Sequence, residues 1–237
     1  MKHKILFTIY QVFEQWNHEM DVVCSRGCSC CCTQNVCITA LEGEAILRYV
    51  LAQGMSLWLA EKLASPKFHQ VPKMTTNDFA SACIEGREVD TGDHYNLSVC
   101  PFLENNLCCI YPVRPFGCRV FVSTTTCSSL HPAQISDHYF EASTAVTQLI
   151  EHLGQKEYWG NMLDVLMALL DISEFRKIAE HLDSSDIIQG RLRTLTAKPL
   201  PGFLLSEEYT EQVSPLLQTI FDTEVDGRRI EDILNGH

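Results

Sequence analysis

Long apolar runs are missing from this 237-residue chain. No stretch approaches the roughly 20 apolar residues that a membrane span needs. The segment from Lys2 to Phe13 is interrupted by Gln11, and it runs into Glu14, Trp16 and His18 instead of a small-residue cleavage site, so no secretory signal is expected. Positive charge is also scarce. Eighteen Lys and Arg stand against 30 Asp and Glu, a formal charge of -12 that repels phosphate backbones and anionic lipid. The 12 glycines and 9 prolines follow no repeat, which excludes collagen-like and low-complexity architectures. There is no phosphate-binding loop, no His-Glu-x-x-His and no Gly-x-Ser-x-Gly elbow, so nucleotide hydrolysis, zinc-hydrolase chemistry and serine acyl transfer have no support. A globular cytoplasmic protein is expected, with neither nucleic acid nor membrane as partner and at most an unidentified protein partner.

Cysteine is abundant, with 12 residues, some of them adjacent. In a reducing compartment such a density points to metal chemistry before disulfides. One cluster reads Cys24-Ser-Arg-Gly-Cys28-Ser-Cys30-Cys31-Cys32, and a second runs from Cys100 through Cys108, Cys109 and Cys118 to Cys127. Turn-forming residues separate the sulfurs. Soft thiolates select zinc, copper(I) or iron-sulfur centres, whereas calcium and magnesium want oxygen ligands that these segments barely supply. Several thiolates around a metal leave net negative charge, and Arg114 and Arg119, beside Pro112 and Pro115, are the cations placed to offset it. His94 and His131 lie near the second cluster but are not counted as ligands.

The pairing of Cys24-x3-Cys28-x2-Cys31-Cys32 with Cys100-Pro-Phe-Leu and then Cys108-x-Ile-Tyr-Pro-x-Arg114-Pro-x-x-Cys118-Arg119 resembles the YkgJ-type cysteine-cluster family of zinc- or iron-chelating domains. The resemblance covers roughly residues 21–129. It implies metal ligation by Cys24, Cys28, Cys31, Cys32, Cys100, Cys108 and Cys118, with Cys127 as the eighth candidate. One branch sharing the pattern, the flagellin lysine methylases, is associated with an iron-sulfur cluster, so a protein-modifying enzyme is an alternative to a storage, redox or sensing role, and a zinc-stabilised interaction module is a third reading. Adjacent Cys31 and Cys32 suit a polynuclear iron-sulfur centre better than one tetrahedral zinc. Eight sulfurs would serve two four-ligand centres or one centre with spare thiols, and spacing leaves both open. Cys30, Cys37, Cys83 and Cys109 fall outside the pattern and are expected to be buried small hydrophobes.

Around these segments the chain reads as mainly α, a helical scaffold with two irregular Cys-rich segments and little strand. Residues 1–135 would form the cysteine-cluster region with flanking helices, and residues 136–237 a helical region packed with it as one unit. Ile5, Ile9, Val12, Phe13, Trp16 and Met20 share one helix face. Thr39 and Glu42 form a capping box for a helix expected to run to Ala64 and stop at Pro66. Further helices are expected over 76–83, 140–153, 156–170, 173–182 (capped by Asp171 and Glu174) and 206–221 (bent at Pro215), with a short strand over 119–123 and a connecting loop over 191–203.

Overall fold

A computed structural model describes residues 1–65, 71–90, 98–128 and 130–236. Pro66 and His94 lie outside the described residues. Helix dominates, with eleven α-helices and seven short strands among the described residues. The first helix, α1 (Lys2–Trp16), buries Ile5, Leu6, Ile9, Tyr10 and Phe13, the near-heptad spacing that places side chains on one face. The next is α2 (Ala40–Ala52), and it starts where the capping box predicts: Thr39 accepts from the Glu42 amide, while the Glu42 carboxylate accepts from the Thr39 amide. It does not continue to Ala64. Gly54, at φ +68°, turns the chain into a separate α3 (Ser56–Ala64). Thr75 caps α4 (Thr76–Ile84).

The second half departs further from expectation. A 17-residue α6 (Asp137–Leu153) precedes Tyr158–Asn161, which is a strand instead of the start of a helix, and only Met162–Leu169 forms α7. That strand, β4, is the centre of a small antiparallel sheet between β1 (Cys37–Thr39) and β5 (Leu195–Thr196), with Ile38 opposite Gly160 and Trp159 opposite Leu195. The expected helix over 173–182 shrinks to a 3-10 turn and the four-residue α8 (Arg176–Ala179). Asp171 and Glu174 do not cap it. Asp171 pairs with Arg191 at 2.6 Å and Glu174 with Arg48 at 2.8 Å. A further helix, α9 (Ser184–Leu192), packs on α7 so closely that a Cβ at Gly190 would come within 2.4 Å of the Met167 Cβ. Pro215 lies inside α10 (Glu207–Asp222), which continues through it on an exposed face. The chain closes with a hairpin of β6 (Glu224–Val225) and β7 (Arg228–Arg229) and then α11 (Ile230–Leu234).

Two apolar clusters form the core, and each joins residues from before and after position 135. One packs α1 against α6, α10 and α11; the other packs α2 and α3 against α7, which is buried along its whole length. Buried polar side chains hold the proline-bearing 197–206 loop against α6. The Glu151 carboxylate accepts from the amides of Asn77 and Lys198 at 2.9 and 2.8 Å, and Gln148 bonds the Gly202 carbonyl and the Leu204 amide. No helix among the described residues is long and apolar enough to cross a membrane.

Candidate metal centre

Between α4 and α6 runs the second cysteine segment, and its apolar residues fix it to both clusters. Phe102 and Ile110 are buried in the α2–α7 cluster and Phe116 in the α1–α6 cluster. Each such side chain contributes about 2–3 kcal/mol by burial. The sulfurs between them are therefore carried on an anchored frame. Its first part is a hairpin, β2 (Leu103–Glu104) with β3 (Leu107–Cys108), turned by Asn105 and Asn106 at φ +50° and +62°. Asparagine tolerates this left-handed pair, which matches the twist of a two-residue hairpin. Its last part is α5 (Phe116–Val120), a single turn and a half where a strand over 119–123 was expected. Proline at 115 suits the start of a helix. The Phe116 amide, one of the donors with no partner inside the helix, gives its hydrogen to the buried Glu42 carboxylate at 2.9 Å.

The two cysteine segments, some seventy residues apart, are hydrogen-bonded to each other. The Cys100 amide donates to the Cys32 carbonyl at 3.0 Å, the Gln34 amide donates to Ser98, and Thr33 and Val99 form an antiparallel bridge. At the other end the Val23 amide donates to the Ser123 carbonyl, and the Cys30 thiol reaches the Cys127 carbonyl at 3.6 Å. All twelve cysteines are free thiols.

The thiols gather in two neighbourhoods. In one, Cys32 faces Cys100, Cys108 and Cys118. A hydrogen bond from the Cys31 thiol lowers the Cys32 pKa, against burial and the charges of those three neighbours. The same bond, followed by burial, pushes Cys31 far up. Burial raises Cys100 to about 11, with Cys108 adding to the shift. Burial also raises Cys118, reinforced by Cys100 and Cys108, and it raises Cys108, where Arg114 works the other way. In the second neighbourhood, burial lifts Cys24, with Cys28, Cys127 and Cys31 contributing, and loss of solvation lifts Cys30, with Cys28 and Cys127 contributing. Among the described residues no group of three or more His, Cys, Asp or Glu side chains stands ready-set to hold a metal ion. The sulfurs are neighbours that would have to turn inward to chelate.

The two arginines expected beside the sulfurs have different surroundings. Arg114 lies over the Tyr111 ring, 3.9 Å from its centroid, and is near enough to Cys31 and Cys108 to favour their thiolates. Its Nε is buried and has no hydrogen-bond acceptor among the described residues. A buried donor without a partner is costly, and a thiolate or a sulfide is an acceptor of the kind it lacks. Arg119 is engaged elsewhere. Its guanidinium donates to Glu14 at 2.6 Å and to the carbonyls of Arg114 and Pro112 at 2.9 and 3.2 Å, and it covers the Tyr10 ring. It braces the loop from 112 to 119 against α1, and so positions Arg114 and Cys118 instead of meeting the sulfurs. Arg119→Ala is expected to lower the unfolding free energy by about 1–3 kcal/mol, with or without metal, in denaturant titrations.

The residues outside the family pattern also differ from expectation. Cys30, Cys37 and Cys83 are exposed instead of buried, and only Cys109 is half-buried. The Cys109 thiol bonds to Glu104, which also accepts from Trp58 at 2.8 Å and pairs with Lys62 at 2.8 Å. His131 is exposed and bonded to Ser128. Comparison with family models, curated proteins and solved structures finds no match for this chain.

Proposed function

We propose that this chain is a cysteine-cluster metal protein, binding an iron-sulfur centre or zinc through thiolates of the 24–32 and 100–127 segments in a storage, redox or sensing role. The observation that carries the reading is the buried, acceptor-less Nε of Arg114 beside the half-buried thiols of Cys31 and Cys108. Four thiolates around a dication carry about -2 in charge, and a fixed guanidinium reduces the cost of burying it. The donor set is all sulfur, as zinc and iron-sulfur centres prefer. Such a centre, when bound, supplies either structural cross-linking or one-electron chemistry. The chain's own residues hold the sulfurs on the Asn105–Asn106 hairpin and on α5, and Arg114 supplies the compensating charge.

Anaerobic isolation followed by visible spectroscopy distinguishes the metals. A broad absorption that bleaches with dithionite marks iron-sulfur; a colourless protein with stoichiometric zinc marks the structural alternative; a colourless protein that contains no metal and takes none up overturns the proposal.

A pH dependence follows. Burial holds Cys100, Cys108 and Cys118 above the ordinary thiol value, so they are protonated near neutrality and must release protons to bind. Raising the pH removes that competition. The apparent affinity for zinc is expected to rise about a hundredfold or more per pH unit through the neutral range, roughly tenfold for each of at least two thiols that ionise. Titrations against a chromophoric chelator at several pH values measure it, and a flat profile would contradict thiol ligation.

A further inference from the structure

We infer that the sulfurs serve two separate centres: an inner one of Cys32, Cys100, Cys108 and Cys118, and an outer one of Cys24, Cys28, Cys30 and Cys127 that takes an exchangeable thiophilic cation. This rests on the reading that the thiols bind soft metal, and it adds Cys30, which the family pattern leaves out.

The separation lies in the backbone. The inner sulfurs belong to a framework closed by the Cys100-to-Cys32 hydrogen bond, by the β2–β3 hairpin that sets Cys108 opposite Leu103, and by α5, which carries Cys118. Phe102, Ile110 and Phe116, all buried in the core clusters, anchor this framework. The outer sulfurs lie on the 24–30 turn and the 123–128 loop of the same chain. Cys24 and Cys28 flank a turn closed by the Cys28 amide on the Ser25 carbonyl, with Gly27 at φ +98°. Cys30 then reaches across to the backbone of Cys127, and the Cys30 and Cys28 thiols are hydrogen-bonded to each other. The Val23-to-Ser123 bond ties the 123–128 loop to the chain leading into this turn, and within that loop the Cys127 thiol bonds the Thr125 carbonyl. Cys31 stands between the sets, its thiol bonded to Cys32.

The two environments differ in kind. Cys28 and Cys30 are exposed and Cys24 and Cys127 partly so, whereas the inner set has Arg114 near Cys108. Exposed Cys28 and Cys30, on surface loops, let chelators reach a metal held there, whereas all four inner cysteines are half-buried and Cys100 and Cys108 pack against the α2–α7 cluster. Metal bound outside should therefore exchange much faster than metal bound inside.

The test uses the reduced, metal-stripped full chain titrated with cadmium, read by the sulfur-to-cadmium charge-transfer absorption and by native mass spectrometry. Wild type is expected to take two equivalents, of which EDTA removes one quickly. The double variant Cys30→Ser/Cys127→Ser is expected to lose the fast equivalent alone, and Cys108→Ser/Cys118→Ser the slow one. If the outer double variant still takes both equivalents, or if wild type takes a single equivalent that either double variant abolishes, the two-centre partition is overturned while metal binding stands. Uptake of no cadmium by wild type overturns both. Because the outer cysteines lie on surface loops, the Cys30→Ser/Cys127→Ser protein decides the matter even if the inner variant fails to fold.

Discussion

Cys118→Ser is expected to release metal and, in the same step, to reduce the thermal stability of the metal-loaded protein to that of the stripped wild type. A ligand that binds only the folded chain stabilises it by about 4 kcal/mol at a thousandfold excess over its Kd, roughly 8–16 °C for a chain of this size. Cys118 lies on α5, among Cys100, Cys108 and Cys32, so its loss breaks the inner set while leaving Phe116 in the core. The control is Cys83→Ser. Cys83 is an exposed residue on α4, outside both thiol neighbourhoods, and its replacement should change neither metal content nor melting temperature. Scanning calorimetry with metal analysis of the same samples reads both quantities; equal metal content in Cys118→Ser and wild type would remove Cys118 from the ligand set.

A second large effect is expected at Glu42, with no metal present at all. Its carboxylate, almost completely buried, accepts from the Tyr10 hydroxyl at 2.8 Å, the Phe116 amide at 2.9 Å, the Thr39 amide at 2.9 Å and the Thr39 hydroxyl at 3.0 Å. One side chain thus joins α1, the start of α2 and the start of α5. Glu42→Ala leaves the Tyr10, Thr39 and Phe116 donors buried without an acceptor. Each orphan costs about 1–3 kcal/mol, part of it recovered by relaxation and water, so a loss of about 3–5 kcal/mol and roughly 10 °C is expected. Glu42→Gln keeps one acceptor oxygen and should cost about half as much. Because Phe116 leads into Cys118, the Ala variant should also bind metal more weakly. Denaturant unfolding of the stripped proteins separates the first effect from the second, and an Ala variant as stable as wild type would show that these donors find other partners.

Glu42 also shows what sequence can and cannot reveal. Its capping of α2 was legible because Thr39 and Glu42 are three residues apart and the pattern is local. Its bonds to Tyr10 and Phe116 were not, since they span 32 and 74 residues. Arg119 is similar: its charge and its proline neighbours were visible, but the Glu14 partner lies 105 residues away, so it read as a second cation for the sulfurs. Strand β4 was hidden at the head of the apolar run from Tyr158 to Leu170, where a buried helix and a buried strand look alike. In α9 only Ile187 and Gly190 are buried, too little for a periodic signal. Cys30 carried no mark of its own. Its place in the first cluster was evident, but the reach to Cys127 depends on how two loops fold over one another.

The mainly helical scaffold was legible because α1, α2, α4, α6 and α10 carry clear apolar faces or caps. The irregular segments gave up less. Asn105-Asn106 between Leu103-Glu104 and Leu107-Cys108 is the turn chemistry of a two-residue hairpin, yet strands of two residues are too short to show alternation.

The most direct test is elemental mass spectrometry on full-length protein isolated without oxygen, with reactive thiols counted in the native and the unfolded state. Metal binding predicts iron or zinc at one or more atoms per chain, and thiols shielded from reagent until the protein is unfolded or stripped. A folded protein that holds neither metal, takes up none when supplied, and exposes the same thiols before and after chelation would contradict it.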